Sequence, residues 1–243
     1  MAVKEAAWER YESEMLAHLA KSYPVDMGLL GTRNAKAVIA FGAARAQSYG
    51  FSSARQLCRY TNLMIGLGSR FDVDPQLPWA APILRSTSRK GPDARLDDLS
   101  ERAAKHLTAV SGLKGRVYMR ALAKARGKKL EMLPSVSPRG AEEALAPLFA
   151  SLYPEKARLI EGTLGLLVRV AEIGARRYKL GEGQPFALYA TLMFLLGAGF
   201  DGDPQFPWAA QVLNDSRASS PLEKARTLAD AGLAWLGRAL PRD

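Results

Sequence analysis

Residues 57–84 read LCRYTNLMIGLGSRFDVDPQLPWAAPIL, and residues 186–213 repeat this stretch as FALYATLMFLLGAGFDGDPQFPWAAQVL. The two stretches align without a gap at an offset of 129, and 15 of 28 positions are identical. Average composition would give about two such matches by chance. Weaker matches extend the similarity outward to about residues 10–106 and 140–236. Such self-similarity indicates that one structural unit occurs twice in the chain.

Both copies carry the spacing and the end signals of α-helices. Ser53 to Gln56 has the form of a capping box at a helix start, and Gly68, matched by Gly197, suits a helix end. Ser220 to Glu223 is a second capping box. Five helices are expected in each copy. The first begins near Ala6 or Glu142, the second covers about 33–49 or 156–179, and the third starts at Ser53 in the first copy. The fourth opens at Asp74-Pro75 or Asp203-Pro204, and the fifth follows Pro92 or Pro221.

These signals predict an all-α fold of two tandem, pseudo-symmetric helical repeats packed as one helical body. No sustained alternation of apolar and polar residues indicates a strand. The predicted division is a first repeat at 1–106, a basic connector helix with a Pro/Ser loop at 107–139, and a second repeat at 140–243. The oligomeric state stays open.

The composition is that of a folded globular protein. Of the 243 residues, 48% are hydrophobic and 24% are charged, and no apolar run reaches the length of a membrane span. The uncharged stretch 186–200 contains Gly197 and Gly199 and is expected to be a buried helix. Acidic residues occur early in the sequence, which argues against a cleaved signal peptide. Cys58 is the single cysteine, so an intramolecular disulfide is excluded. We therefore expect a cytoplasmic protein without a membrane span.

The repeated pattern FDxDPxxPW allows a structural and a functional interpretation. In the structural one, Phe and Trp pack in the core, Asp caps a helix and contributes about 1 kcal/mol, and Pro fixes the turn. In the functional one, the acids hold a cation, but a calcium site needs six to eight oxygen ligands. The structural interpretation is favoured for the residues Phe71, Asp72, Asp74, Pro75, Pro78, Trp79, Phe200, Asp201, Asp203, Pro204, Pro207 and Trp208.

The net charge of +10 is concentrated between the copies. Residues 1–106 hold 15 basic and 11 acidic residues, residues 107–139 hold 8 and 1, and residues 140–243 hold 11 and 12. Basic residues recur every fourth position and would form one stripe of a helix, beside an apolar stripe that includes Leu113. The expected partner-binding residues are Lys114, Arg116, Arg120, Lys124, Arg126, Lys128 and Lys129.

This basic stripe suits an acidic protein face, a nucleic-acid backbone or an anionic lipid surface, or it is simply a solvated helix face. Nucleic-acid binding would be supported by aromatic residues among the basic ones, and only Tyr118 qualifies. We therefore expect an acidic protein partner, with nucleic-acid binding as the alternative.

Signals for catalysis are weak. His18 and His106 are the only histidines, and each is expected at the surface or at a helix end. Arg55 and Arg59 would lower the pKa of Cys58, although a lone helical cysteine is usually a small core residue. No catalytic residue, metal or cofactor is predicted. An enzyme with a carboxylate site between the repeats, built from the four aspartates of the repeated pattern, remains an alternative.

The run from Arg45 to Phe51, followed by Leu63-Met64, Gly68 and 71–80, resembles segments of poorly characterised helical proteins encoded beside bacterial type VI secretion and toxin genes. The resemblance covers the repeat cores, about a third of the chain. It implies a bacterial cytoplasmic accessory protein, either an immunity protein that neutralises a toxin or an adaptor that loads an effector.

Overall fold

The computed structural model describes residues 2–86, 91–218 and 220–240. Within these ranges the chain forms α-helices joined by turns and short 3-10 helices and contains no strand, which confirms the predicted all-α class. The α-helices are α1 Ala2–Ser22, α2 Pro24–Ser48, α3 Ala54–Leu67, α4 Ala80–Leu84, α5 Pro92–Ser111, α6 Arg116–Arg126, α7 Ala141–Leu152, α8 Pro154–Leu159, α9 Leu164–Arg177, α10 Gln184–Leu196, α11 Pro207–Leu213 and α12 Pro221–Ala239. The 3-10 helices are Phe71–Val73, Leu113–Gly115, Leu130–Met132, Glu161–Thr163 and Phe200–Gly202.

The predicted helix ends are present. At the start of α3, the Ser53 hydroxyl accepts from Gln56 N–H at 3.3 Å, and the Gln56 side chain accepts from Ser53 N–H at 3.2 Å. Gly68 ends α3 with φ +97° and Gly197 ends α10 with φ +103°, a backbone region that favours glycine. At the start of α12, the Ser220 hydroxyl accepts from Glu223 N–H at 3.1 Å.

Some predicted helix boundaries are wrong. The second helix begins at Pro24 and is interrupted at Gly31, where φ is +70° and ψ is +163°. Its expected equivalent at 156–179 is split into α8 and α9 by a 3-10 turn. Asp74-Pro75 and Asp203-Pro204 do not open the fourth helix, because α4 starts at Ala80 and α11 starts at Pro207. Helix α5 also continues past residue 106 to Ser111.

The largest buried side chains are aromatic. In the first half Phe51, Tyr60 and Phe71 pack together between α2, α3 and α5. In the second half Phe149 stacks on Phe194 at a centroid distance of 4.2 Å. Helix α10 is buried on nearly all sides, as its uncharged sequence predicts. No helix within the described ranges combines the length and apolar character needed to cross a bilayer.

Candidate functional site

Each of the two FDxDPxxPW segments contributes a carboxylate to the turn that precedes the segment in the other half of the chain. Asp203, in the second segment, is buried and accepts hydrogen bonds from Ser69 N–H at 2.8 Å and from the Ser69 hydroxyl at 2.5 Å. It also accepts from Gln205 N–H at 2.8 Å. The carboxylate therefore ties the turn after α3 to the turn after α10.

Asp74 makes the corresponding contact in the opposite direction. Its carboxylate accepts from Ala198 N–H at 2.8 Å and from Gln76 N–H at 2.8 Å. At the offset of 129, Asp74 corresponds to Asp203 and Ala198 corresponds to Ser69. We call Asp74 and Asp203 the crossed carboxylates.

Two glutamine side chains cross between the halves in the same reciprocal way. The Gln76 amide donates to the Met193 carbonyl at 2.9 Å, and the Gln205 amide donates to the Met64 carbonyl at 3.2 Å. Gln76 and Gln205 correspond in the sequence alignment, as do Met64 and Met193. These matched contacts support the predicted pairing of two copies, which remains a prediction.

The crossed carboxylates have a structural role that differs from the expected one. Burial raises the pKa of Asp74 and of Asp203 above the usual range, and the N–H groups that donate to them oppose this shift. Each side chain bridges the halves and bonds to an N–H two residues further along its own turn, rather than capping α4 or α11.

The other two aspartates of the pattern are held within their own halves. Asp72 is buried and accepts from the Arg45 guanidinium and from the Tyr49 hydroxyl, the latter at 2.7 Å. Asp201 accepts from the Tyr189 hydroxyl at 3.0 Å. Across the described residues, no three or more His, Cys, Asp or Glu side chains are grouped so that they hold a metal ion.

The aromatic residues of the pattern divide into two classes. Phe71 and Phe200 are fully buried, as expected. Trp79 and Trp208 are only half-buried, so the expectation that they lie within the core is wrong. Trp79 packs against His106 with ring centroids 6.0 Å apart, and Trp208 packs against Trp235 at 6.4 Å. Both indoles therefore lie at the edges of the two cores.

The basic residues of the connector lie mainly on the outer face of α6 and at its ends. The helix docks by the opposite face, where Ala121 and Leu122 are buried. The exposed cations are Lys114, Arg116, Arg120, Lys124, Arg126 and Lys129, and we call them the basic surface. Among the described residues none of the six forms an ion pair, although the Lys124 ammonium donates to the Ser151 carbonyl at 2.8 Å.

Two details of the predicted stripe are wrong. Helix α6 ends at Arg126 and is followed by Gly127, so Lys128 does not continue the helical row and is half-buried. Leu113 is not part of the docked apolar face, because it is 74% exposed in the turn before α6. In the same turn Lys114 has φ +54°, an uncommon conformation for a residue with a Cβ atom.

The histidines and the cysteine are accounted for by packing. His18 lies 3.0 Å from the Asn62 side-chain oxygen. Burial, with help from the charge of Lys156, lowers the pKa of His106 to about 4, so this histidine is packed on Trp79 rather than placed at the surface. Burial raises the pKa of Cys58, opposite to the lowering that its arginine neighbours suggested.

Sequence reasoning missed two features of this centre. Gln76 and Gln205 are identical in the aligned copies, which was a usable signal for their shared role. Lys156 lies 5.5 Å from the Phe194 ring centroid, and burial lowers its pKa to about 8 while the charge of Asp74 opposes the shift. No local pattern marks Lys156, because its neighbours come from distant segments.

Comparisons of the chain with protein-family models, with curated proteins and with solved structures found no match. Its function is therefore inferred from its own residues.

Proposed function

We propose that this chain is a non-catalytic, cytoplasmic protein-binding module of a bacterium, which holds the acidic face of a toxin or secreted effector through the basic surface. In that role it acts as a toxin-neutralising protein or as an effector adaptor. The choice between these two depends on the partner.

The observation that carries this proposal is a row of unpaired cations on a helix that is fixed from behind. Arg116 and Arg120 lie one helical turn apart and are exposed, while Ala121 and Leu122 anchor α6 to the body. Because the helix backbone is already fixed, a partner that binds there has to order only the side chains. An acidic partner would gain a faster association rate and a defined orientation from such a surface.

An exposed apolar residue beside these cations favours a protein partner over a nucleic acid. Leu113 is 74% exposed and precedes Lys114, so an apolar side chain is bordered by charge. Protein interfaces combine an apolar centre with a polar rim, whereas a phosphate backbone offers no partner for leucine. Tyr118 is only partly accessible and packs against Tyr153 at 6.2 Å, which removes it as a stacking platform for bases.

The test uses a triple charge reversal, Arg116→Glu, Arg120→Glu and Lys129→Glu. Lys124 is left unchanged because it bonds to the Ser151 carbonyl. The matched control reverses three exposed cations elsewhere, Arg55, Arg169 and Arg226, and gives the same change in net charge.

The partner is first captured on the immobilised chain from lysate of the encoding cells, identified by mass spectrometry and purified. Its affinity is then measured for the three forms by calorimetry. We expect the triple reversal to weaken binding by about tenfold or more and the control to change it little, with melting temperatures preserved. The proposal fails if both variants bind equally. It also fails if the retained material is nuclease-sensitive and its affinity falls steeply with salt.

A further inference from the structure

A second site adjoins the connector, in a cleft between α6, the 3-10 turn Leu130–Met132, α10 and α12. The cleft holds a cavity of about 60 Å³ within about 620 Å³ of empty space that includes its opening to solvent. Its walls come from both the connector and the second half of the chain. Lys128, which leaves the helical row of the basic surface, lines this cleft.

The lining restricts the ligand to a largely apolar molecule. Most of the wall consists of leucine side chains and two indoles, Trp208 and Trp235. The hydroxyl of Thr191, which also lines the cleft, already donates to the Ala187 carbonyl at 2.7 Å. Such a wall offers little to the hydroxyls of a sugar or the polar edges of a base, and it suits an aliphatic chain.

Lys128, which ends in an ammonium group, is the only charged residue among the described residues that line the cleft. Within the described part of the chain this ammonium has no ion pair or hydrogen bond. The Lys128 side chain is half-buried, and a lysine whose aliphatic stem lies on an apolar wall keeps its ammonium group available to an anion at the mouth of the cleft.

We propose that the cleft binds a free fatty acid, with the aliphatic chain between α10 and α12 and the carboxylate on the Lys128 ammonium. One lysine among the lining residues matches one carboxylate, and the apolar lining matches an aliphatic chain. The proposal is independent of the protein-binding function, because Lys128 is not part of the basic surface.

The chain length and the charge of the ligand give separate tests. Calorimetric titration of the full chain with decanoate, below its micelle concentration, should show saturable binding. Octanoate should bind more weakly, by about threefold to fourfold for each methylene that is lost from the cleft. Decanol, which has the same chain and no charge, should bind about tenfold more weakly than decanoate.

Three variants locate the site. Lys128→Glu should weaken decanoate binding by about tenfold or more, and Arg55→Glu, at an exposed cation outside both the cleft and the basic surface, is the matched control and should leave it unchanged. Ala229→Phe fills the cleft from α12 and should abolish binding. Circular dichroism melting confirms that each variant is folded, and the two cleft variants provide independent readouts if one of them is unstable.

The proposal is overturned by any of four results: no saturable decanoate binding, equal affinity for decanol, an unchanged affinity in Lys128→Glu, or retained binding in Ala229→Phe. Vesicles of phosphatidylglycerol distinguish a membrane surface from a free acid. Sedimentation with these vesicles that depends on Lys128, without binding of decanoate, would also reject the free-acid site.

Discussion

Replacing Asp203 by alanine should destabilise the protein strongly, because it removes one of the two buried carboxylates that join the halves. The change removes the acceptor of Ser69 N–H, the Ser69 hydroxyl and Gln205 N–H. It also removes a bond of 3.4 Å from the Gln205 amide, which still has the Met64 carbonyl as an acceptor. Ser69 is fully buried, so water cannot readily replace the carboxylate there, and each orphaned buried donor costs about 1–3 kcal/mol. Gln205 is half-buried and its N–H is more easily rehydrated.

The loss is offset in part because a buried carboxylate no longer has to be desolvated. Burial raises the pKa of Asp203 because desolvation penalises its charged form. We therefore expect a net decrease of about 3–4 kcal/mol in the free energy of unfolding, well above the roughly 1 kcal/mol expected for a helix cap. Asp203→Asn keeps one acceptor oxygen and should lose less.

Urea unfolding followed by circular dichroism measures this difference, with Asp201→Ala as the matched control. Asp201 lies two positions away in the same turn, is half-buried and accepts from the Tyr189 hydroxyl, so its loss should cost about 1 kcal/mol. Equal losses of unfolding free energy in the two variants would refute a bridging role for Asp203. Both aspartates would then contribute no more than ordinary turn residues.

Two further features give predictions that are measured by the same unfolding assay. The pKa of His106 is lowered from 6.5 to about 4 in the folded state, so the unfolded chain binds more protons between these pH values. The free energy of unfolding should therefore fall by about 2 kcal/mol as the pH drops from 6.5 to 4, and it should fall less steeply in His106→Gln. Parallel pH profiles of the two proteins would contradict the lowered pKa of His106. Gly174→Ala should cost about 1–3 kcal/mol, because a Cβ atom there would lie 2.1 Å from the Tyr189 hydroxyl oxygen. Gly237→Ala in α12 meets no atom within 4 Å and should instead be neutral or stabilising by about 0.5–1 kcal/mol; a loss as large as that of Gly174→Ala would contradict the packing argument.

Features that depend on neighbours along the chain were predictable from the sequence. The capping box at Ser53 and the glycines at 68 and 197 end or begin helices through contacts within a few residues, and the structure has them. The burial of Phe71 and Phe200 also followed from the repeated pattern.

The crossed carboxylates were not predictable, because their partners are distant in sequence. A local interpretation of Asp74-Pro75 suggests a helix start, but Asp74 accepts from Ala198 N–H, 124 residues further on. The donor is a backbone group, so Ser69 and Ala198 can occupy equivalent positions without being the same residue. Side-chain identity therefore gave no indication of this bond.

The basic surface was predictable as a group of residues but not in its full extent. A period of four assumes that the helix continues, whereas α6 ends at Arg126 before Gly127. Beyond that point the chain turns, and Lys128 lines the cleft. Charge spacing alone cannot show where a helix stops.

The crossed carboxylates make the two halves of the chain mutually dependent. If the backbone were cut in the loop around Pro138, each fragment would retain a turn whose N–H group is satisfied only by the other fragment's aspartate. Neither fragment would then be self-sufficient, and mixing them should restore an ordered protein by complementation.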